Sequence, residues 1–202
     1  KELCRVTFAV REFDGEQVER ALMLRMRTAR RALAVLAERS GASHSFRSLR
    51  GSAIELLRRA ADEADVVLFE PVHPRTFPLS AAVSRPGRVT VLLSGPESGP
   101  RVLRAASGLV RGDARRISCL LLPGRDTAAS ELENLVRSHF ADSVSPRRLQ
   151  QGDPGQLAVA VRETSASLLV VPADGPLTAP PMMRFLREQI RCPVCLVRRW
   201  EE

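Results

Sequence analysis

Tyrosine is absent from the chain, tryptophan occurs once, and Lys1 is the only lysine. With no Tyr and one Trp, the chain has no aromatic platform among its basic residues on which single-stranded nucleic acid could stack. The arginines are scattered and interleaved with acids, as at Arg58, Arg104, Arg115 and Arg148. The net charge of +8 therefore reads as a solvated surface and not as a nucleic-acid footprint. No apolar run approaches the roughly 20 residues of a membrane span, and no signal peptide is visible. Four cysteines in 202 residues are too few for a disulfide scaffold. Most sit in apolar, strand-like runs where a reduced thiol acts as a small hydrophobe, so a reducing, cytoplasmic setting is expected.

Chemistry-bearing motifs are scarce as well. His44, His73 and His139 are separate, and none has a neighbouring carboxylate or nucleophile in a motif. No G-x-S-x-G elbow is present. Ser94-Gly95-Pro96-Glu97-Ser98-Gly99 is not followed by the Gly-Lys-Ser/Thr of a phosphate-binding loop, so it reads as a strand-to-helix turn. Cys192-Pro193-Val194-Cys195 follows a helix and enters a strand, whereas a redox pair needs a helix N-terminus to lower its thiol pKa. Its two side chains are expected on opposite faces. No second Cys/His pair lies near enough to complete a zinc site. The chain is expected to be no enzyme and to hold no metal.

What is present is a repeat. Arg50-Gly51-Ser52-Ala53-Ile54-Glu55-Leu56-Leu57 leads through a helix to Val66-Val67-Leu68-Phe69-Glu70-Pro71. Gln151-Gly152-Asp153-Pro154-Gly155-Gln156-Leu157 leads in the same way to Leu168-Leu169-Val170-Val171-Pro172. Gly51 matches Gly152 and Pro71 matches Pro172 at one constant offset. Each copy reads as a turn, a capped helix and an apolar strand. Ser52 and Glu55 have capping-box spacing. Asp153 with Pro154 is an N-cap followed by the imino acid that the first helical position tolerates.

Strands and helices alternate along the chain. Val18, Leu22, Met26, Ala29, Leu33 and Leu36 step at three and four residues, the spacing of one helix face. Strands are expected over 3–10, 44–49 and 66–69, then over 89–93, 117–122, 144–149, 168–171 and 193–197. Helices are expected between the later ones. Residues 71–87 hold four prolines and mark a boundary, with a short helical turn around 79–83. The pattern predicts an α/β protein with parallel sheets sandwiched by helices. Two sister lobes are expected: a truncated one over 1–87, ending in the Pro-rich linker, and a complete one over 88–202. The chain opens at Lys1 and enters an apolar alternation almost at once, as expected of a piece cut from a longer protein.

The second half resembles the universal stress protein family, whose fold is of the adenine nucleotide alpha hydrolase-like kind. The resemblance covers 88–199 through Gly152-Asp153-Pro154, the helix after it, the strand 168–171, and Cys192-Pro193-Val194 entering the last strand. The first half resembles a trimmed copy through 51–69. The family implies dimers or tandem pairs, and in many members an ATP site with an Asp after the first strand and a Gly-rich loop after the fourth. Here Ser94-Gly95 stands where that Asp would be. The later loop is Pro172-Ala173-Asp174-Gly175-Pro176-Leu177-Thr178-Ala179-Pro180-Pro181. Four prolines without N–H groups and a carboxylate make a poor phosphate cradle, so ATP binding is expected to be lost. A vestigial pocket would comprise Ser94, Gly95, Ser98, Gly99, Asp174, Gly175 and Thr178.

The resulting expectation is a non-catalytic regulatory or assembly module without cofactor. It would be the cytosolic domain of a larger protein such as a cation antiporter or amino-acid permease. The alternative is a stress-response sensor for ATP, AMP or another anion. Partners are expected to be a second copy, the rest of a longer chain, or a membrane-associated protein. Val194 and Leu196, on a strand read as an edge, are the interface candidates that would pair across lobes or subunits.

Overall fold

The computed structural model describes residues 2–3, 10–11, 15–47, 49–72, 87–124, 126–150 and 153–199. It divides into two compact units, Lys1–Arg50 and Gly51–Glu202. In the first, β1 (Glu2–Leu3) pairs antiparallel with β2 (Val10–Arg11), and α1 (Gly15–Ser40) follows. Gly41, at φ 67°, supplies the left-handed turn that closes α1. Most of the strand expected over 3–10 lies outside the described residues. The strand expected over 44–49 is not formed: residues 42–47 are irregular and exposed, with no ladder partner for their backbone groups.

The second unit is α/β, as the alternation predicts. It comprises α2 (Ala53–Glu63), β3 (Val66–Phe69), β4 (Arg88–Leu93), α3 (Gly99–Leu109), β5 (Ile117–Leu121), α4 (Asp126–Phe140), β6 (Arg147–Arg148), α5 (Pro154–Glu163), β7 (Ala166–Pro172), α6 (Pro180–Glu188) and β8 (Val194–Val197). Six strands form one sheet in the order β3-β8-β7-β4-β5-β6. Every neighbouring pair is parallel except β3 and β8, which run antiparallel.

Alternation within the strands assigns the two faces. Val91 and Leu93 of β4, Cys119 and Leu121 of β5, Val170 of β7 and Cys195 of β8 meet Val102, Leu103 and Ala106 of α3 and Leu132 and Val136 of α4. Leu92, Leu120, Leu169, Val171, Val194 and Leu196 point the other way, against Ala61 of α2, Leu157 and Ala160 of α5, and Met183 and Leu186 of α6. The buried hydroxyl of Thr90 is satisfied by Thr164 Oγ1 at 2.7 Å.

The expectation of two separate sheets is corrected here. The helix-strand repeat is present as α2–β3 and α5–β7, but both copies belong to one sheet. They lie on either side of β8, one antiparallel and one parallel to it. β8 is consequently no edge, and Val194 and Leu196 are fully buried inside the sheet. Of the pairings anticipated, across lobes or across subunits, the first is made: β3, from the stretch expected as the first lobe, supplies the antiparallel ladder within the chain. Most of the Pro-rich stretch, including the helical turn expected around 79–83, lies outside the described residues.

Local signals fared unevenly. Asp153 caps α5 as read, its Oδ2 accepting from the Gln156 N–H at 3.2 Å. Ser52 precedes α2 in extended conformation but its side chain makes no capping hydrogen bond. The strand expected over 144–149 shrinks to Arg147–Arg148. There Arg147 pairs with Glu163 of α5, and Arg148 with Glu133 of α4. The Arg148 hydrogen bond holds the Glu133 carboxyl below its usual range. A two-residue edge carrying arginine on both faces resists further strand pairing. The opposite edge, β3, is apolar, with Leu68 57% exposed.

Candidate functional site

An open parallel sheet offers a crevice where successive connections leave in opposite directions. From β4 the chain passes through α3 to β5 and through α4 to β6. It then crosses back through α5 to β7, on the other side of β4, and through α6 to β8. The switch lies between the carboxyl ends of β4 and β7. The loops there are 94–98 and 173–179, so the fold brings together six of the seven vestigial-pocket residues, with the seventh, Gly99, opening α3 directly after the first loop.

Their geometry closes the crevice. The Ser98 hydroxyl is buried and turns back to the Gly95 carbonyl at 3.4 Å. The Gly99 N–H donates to the same carbonyl at 3.2 Å. Pro100 has no N–H, so at most the Arg101 amide of this first turn is available to an anion. Gly99 is buried so tightly that a Cβ would run into the Leu135 side chain. Across the crevice, Gly175 (φ 58°) starts a 3₁₀ turn over Gly175–Thr178. Thr178 Oγ1 donates to the Gly175 carbonyl at 3.1 Å. Pro176 lacks an N–H, as do the first two residues of α6, Pro180 and Pro181, so these turns supply few donors.

The residue that sequence reasoning missed is Arg101. It stands in the first turn of α3 and pairs with Asp174 of the facing loop. Asp174, a carboxylate expected to repel phosphate, is neutralised by this cation from the other side of the crevice. Nothing near Arg101 in sequence marks it out from the other arginines, since its partner Asp174 lies far along the chain, in the loop after β7. The Arg101 Nε is buried without a hydrogen-bond partner.

The remaining candidates stay apart. His44 is exposed in the first unit, and His73 lies outside the described residues. Partial burial and then the charge of Arg104 hold His139 below the usual imidazole range. Cys195 faces the α3–α4 side of the sheet and Cys192 the other, as the strand alternation predicts. Burial pushes the Cys119 thiol up to about 12 and the Cys195 thiol to about 11. At pH 8 only about one in a thousand Cys195 thiols would be ionised, and fewer at Cys119, so neither is a nucleophile. A thiol-specific reagent at pH 8 should leave both unmodified while the chain is folded and label both in denaturant. Rapid native labelling of Cys195, read by peptide mass, would contradict its placement.

Among the described residues no cluster of three or more His, Cys, Asp or Glu could hold a metal, and no helix is long and apolar enough to cross a membrane. A cavity of about 30 Å³, between the C-terminal ends of α5 and α6 and lined by Val161, Arg162 and Ile190, has room for about one water. Compared with known proteins, the chain matches no family model and no curated protein.

Proposed function

We propose that this protein is a non-catalytic regulatory or assembly module, the cytosolic domain of a larger protein such as a cation antiporter or amino-acid permease. Its Gly51–Glu202 unit is read as universal-stress-like, with α2–β3 the remnant of a sister lobe docked onto the same sheet. Its partner is a second copy, the rest of a longer chain or a membrane-associated protein. The observation that carries this reading is the crevice at the switch point. The place where such a sheet takes a ligand is occupied by the chain's own Arg101–Asp174 pair and ringed by prolines.

Calorimetric titration with magnesium-ATP, AMP and pyrophosphate is expected to give no binding heat, and the melting temperature should not move. A ligand at a hundred times its Kd would add about 2.7 kcal/mol, a rise of about 5–10 °C for a domain of this size. Such a rise would favour the alternative, a stress-response sensor for an anion. That reading rests on Arg101, whose guanidinium stands at the crevice with its Nε unsatisfied.

A further inference from the structure

The helix α1 carries a charge pattern that the Gly51–Glu202 unit does not share. Its 26 residues would extend roughly 39 Å. No acidic residue stands between Glu19 and Glu38, while Arg20, Arg25, Arg27, Arg30 and Arg31 all do, and all five are exposed. Large apolar side chains are exposed among them, with Leu22 at 53% and Leu36 at 61%. At 100° per residue, Leu22, the half-buried Leu33 and Leu36 share one side of the helix, whereas Arg20, Arg27 and Arg31 take the opposite side together with the exposed Leu24 and Val35. Arg25 and Arg30 border the apolar stripe on its two flanks.

Two kinds of surface could cover such a stripe. The steps of three and four residues through Leu22, Ala29, Leu33 and Leu36 fit the seam of a coiled coil with a second copy. The residues bordering that seam decide against it. Arg25, Arg30 and Arg39 have one sign, and Glu19, on the Arg30 side, stands about three turns before Arg30, so two parallel copies in register would set arginine against arginine. An anionic surface answers the same pattern. Long arginine side chains reach outward from a buried stripe, and a basic amphipathic helix lies in a bilayer interface with its apolar side at the acyl-chain boundary.

We propose that α1 is a surface-docking helix that lies along an anionic lipid bilayer, Leu22, Leu33 and Leu36 inward and Arg25 and Arg30 on the headgroups. The docking does not depend on what the Gly51–Glu202 unit binds. The test is flotation of the full chain with large vesicles of phosphatidylcholine alone or of seven parts phosphatidylcholine to three parts phosphatidylserine. At 0.1 M salt the chain should bind the serine-containing vesicles at least tenfold more tightly, and at 0.5 M salt that preference should collapse. Arg25→Glu with Arg30→Glu should weaken binding at least tenfold, and Leu22→Ser with Leu36→Ser should weaken it at unchanged charge. Arg58→Glu with Arg115→Glu alters net charge equally on exposed sites of the other unit and should cost less than twofold. Equal loss in that control would reduce the effect to bulk charge and overturn the proposal. So would equal binding to both vesicle types, or a doubled mass without lipid that the leucine variant abolishes.

Discussion

Leu196→Asp is expected to abolish the folded state of the Gly51–Glu202 unit. Leu196 is fully buried on β8, between Val67 of β3 and Val171 of β7, and faces the α2–α5–α6 side of the sheet. Truncating a buried leucine costs about 2–5 kcal/mol through lost transfer energy and the cavity left behind. The carboxylate adds several kcal/mol more, because the cluster around it is apolar. The total reaches the whole stability of an ordinary domain, about 5–15 kcal/mol. Val194→Asp, on the same face, should behave alike. Loss of the cooperative thermal transition, followed by circular dichroism, is the expected result. A soluble variant with an unchanged melting temperature would return β8 to the surface and restore the reading of these two residues as an interface.

The second large effect concerns where the folding unit begins. A fragment over 51–202 should melt cooperatively, whereas one over 88–202 should show no cooperative transition or one at much lower temperature. The shorter piece lacks α2 and β3. It loses the buried Phe69 and Ala61, and with them Ile54, Leu57 and Val67 packed against the same cluster. Removing a buried phenylalanine alone costs about 3–5 kcal/mol. β8 would also lose its antiparallel ladder and become an open apolar edge, an aggregation hazard. Equal melting temperatures of the two fragments would instead make 88–202 a self-sufficient lobe.

The two halves of that experiment trace what local sequence can reveal. The repeat at a constant offset was legible, and both copies do form a helix followed by a strand. Nothing in Val66–Phe69 states that it joins β8 of the later half. An apolar four-residue run is equally suited to a sheet of its own, and strand order and sense are properties of non-local pairing. The strand expected over 44–49 and the Ser52 capping bond failed for a related reason. Both signals are local and weak, and neither gains a tertiary partner.

The candidate site divides along the same line. Proline positions and the absence of phosphate-loop spacing are matters of primary structure, so the poverty of backbone donors could be read residue by residue. The closure of the crevice could not, because Arg101 and Asp174 meet only when β4 and β7 lie side by side. The amino-acid order alone determined the α/β class, the two faces of each strand and the opposite facing of Cys192 and Cys195, since these follow from periods of two and 3.6 residues. Only the tertiary structure decided that one sheet holds both copies of the repeat and that an ion pair occupies its switch point. Those outcomes depend on which distant segments bury one another, and a chain's local periodicity carries no record of that choice.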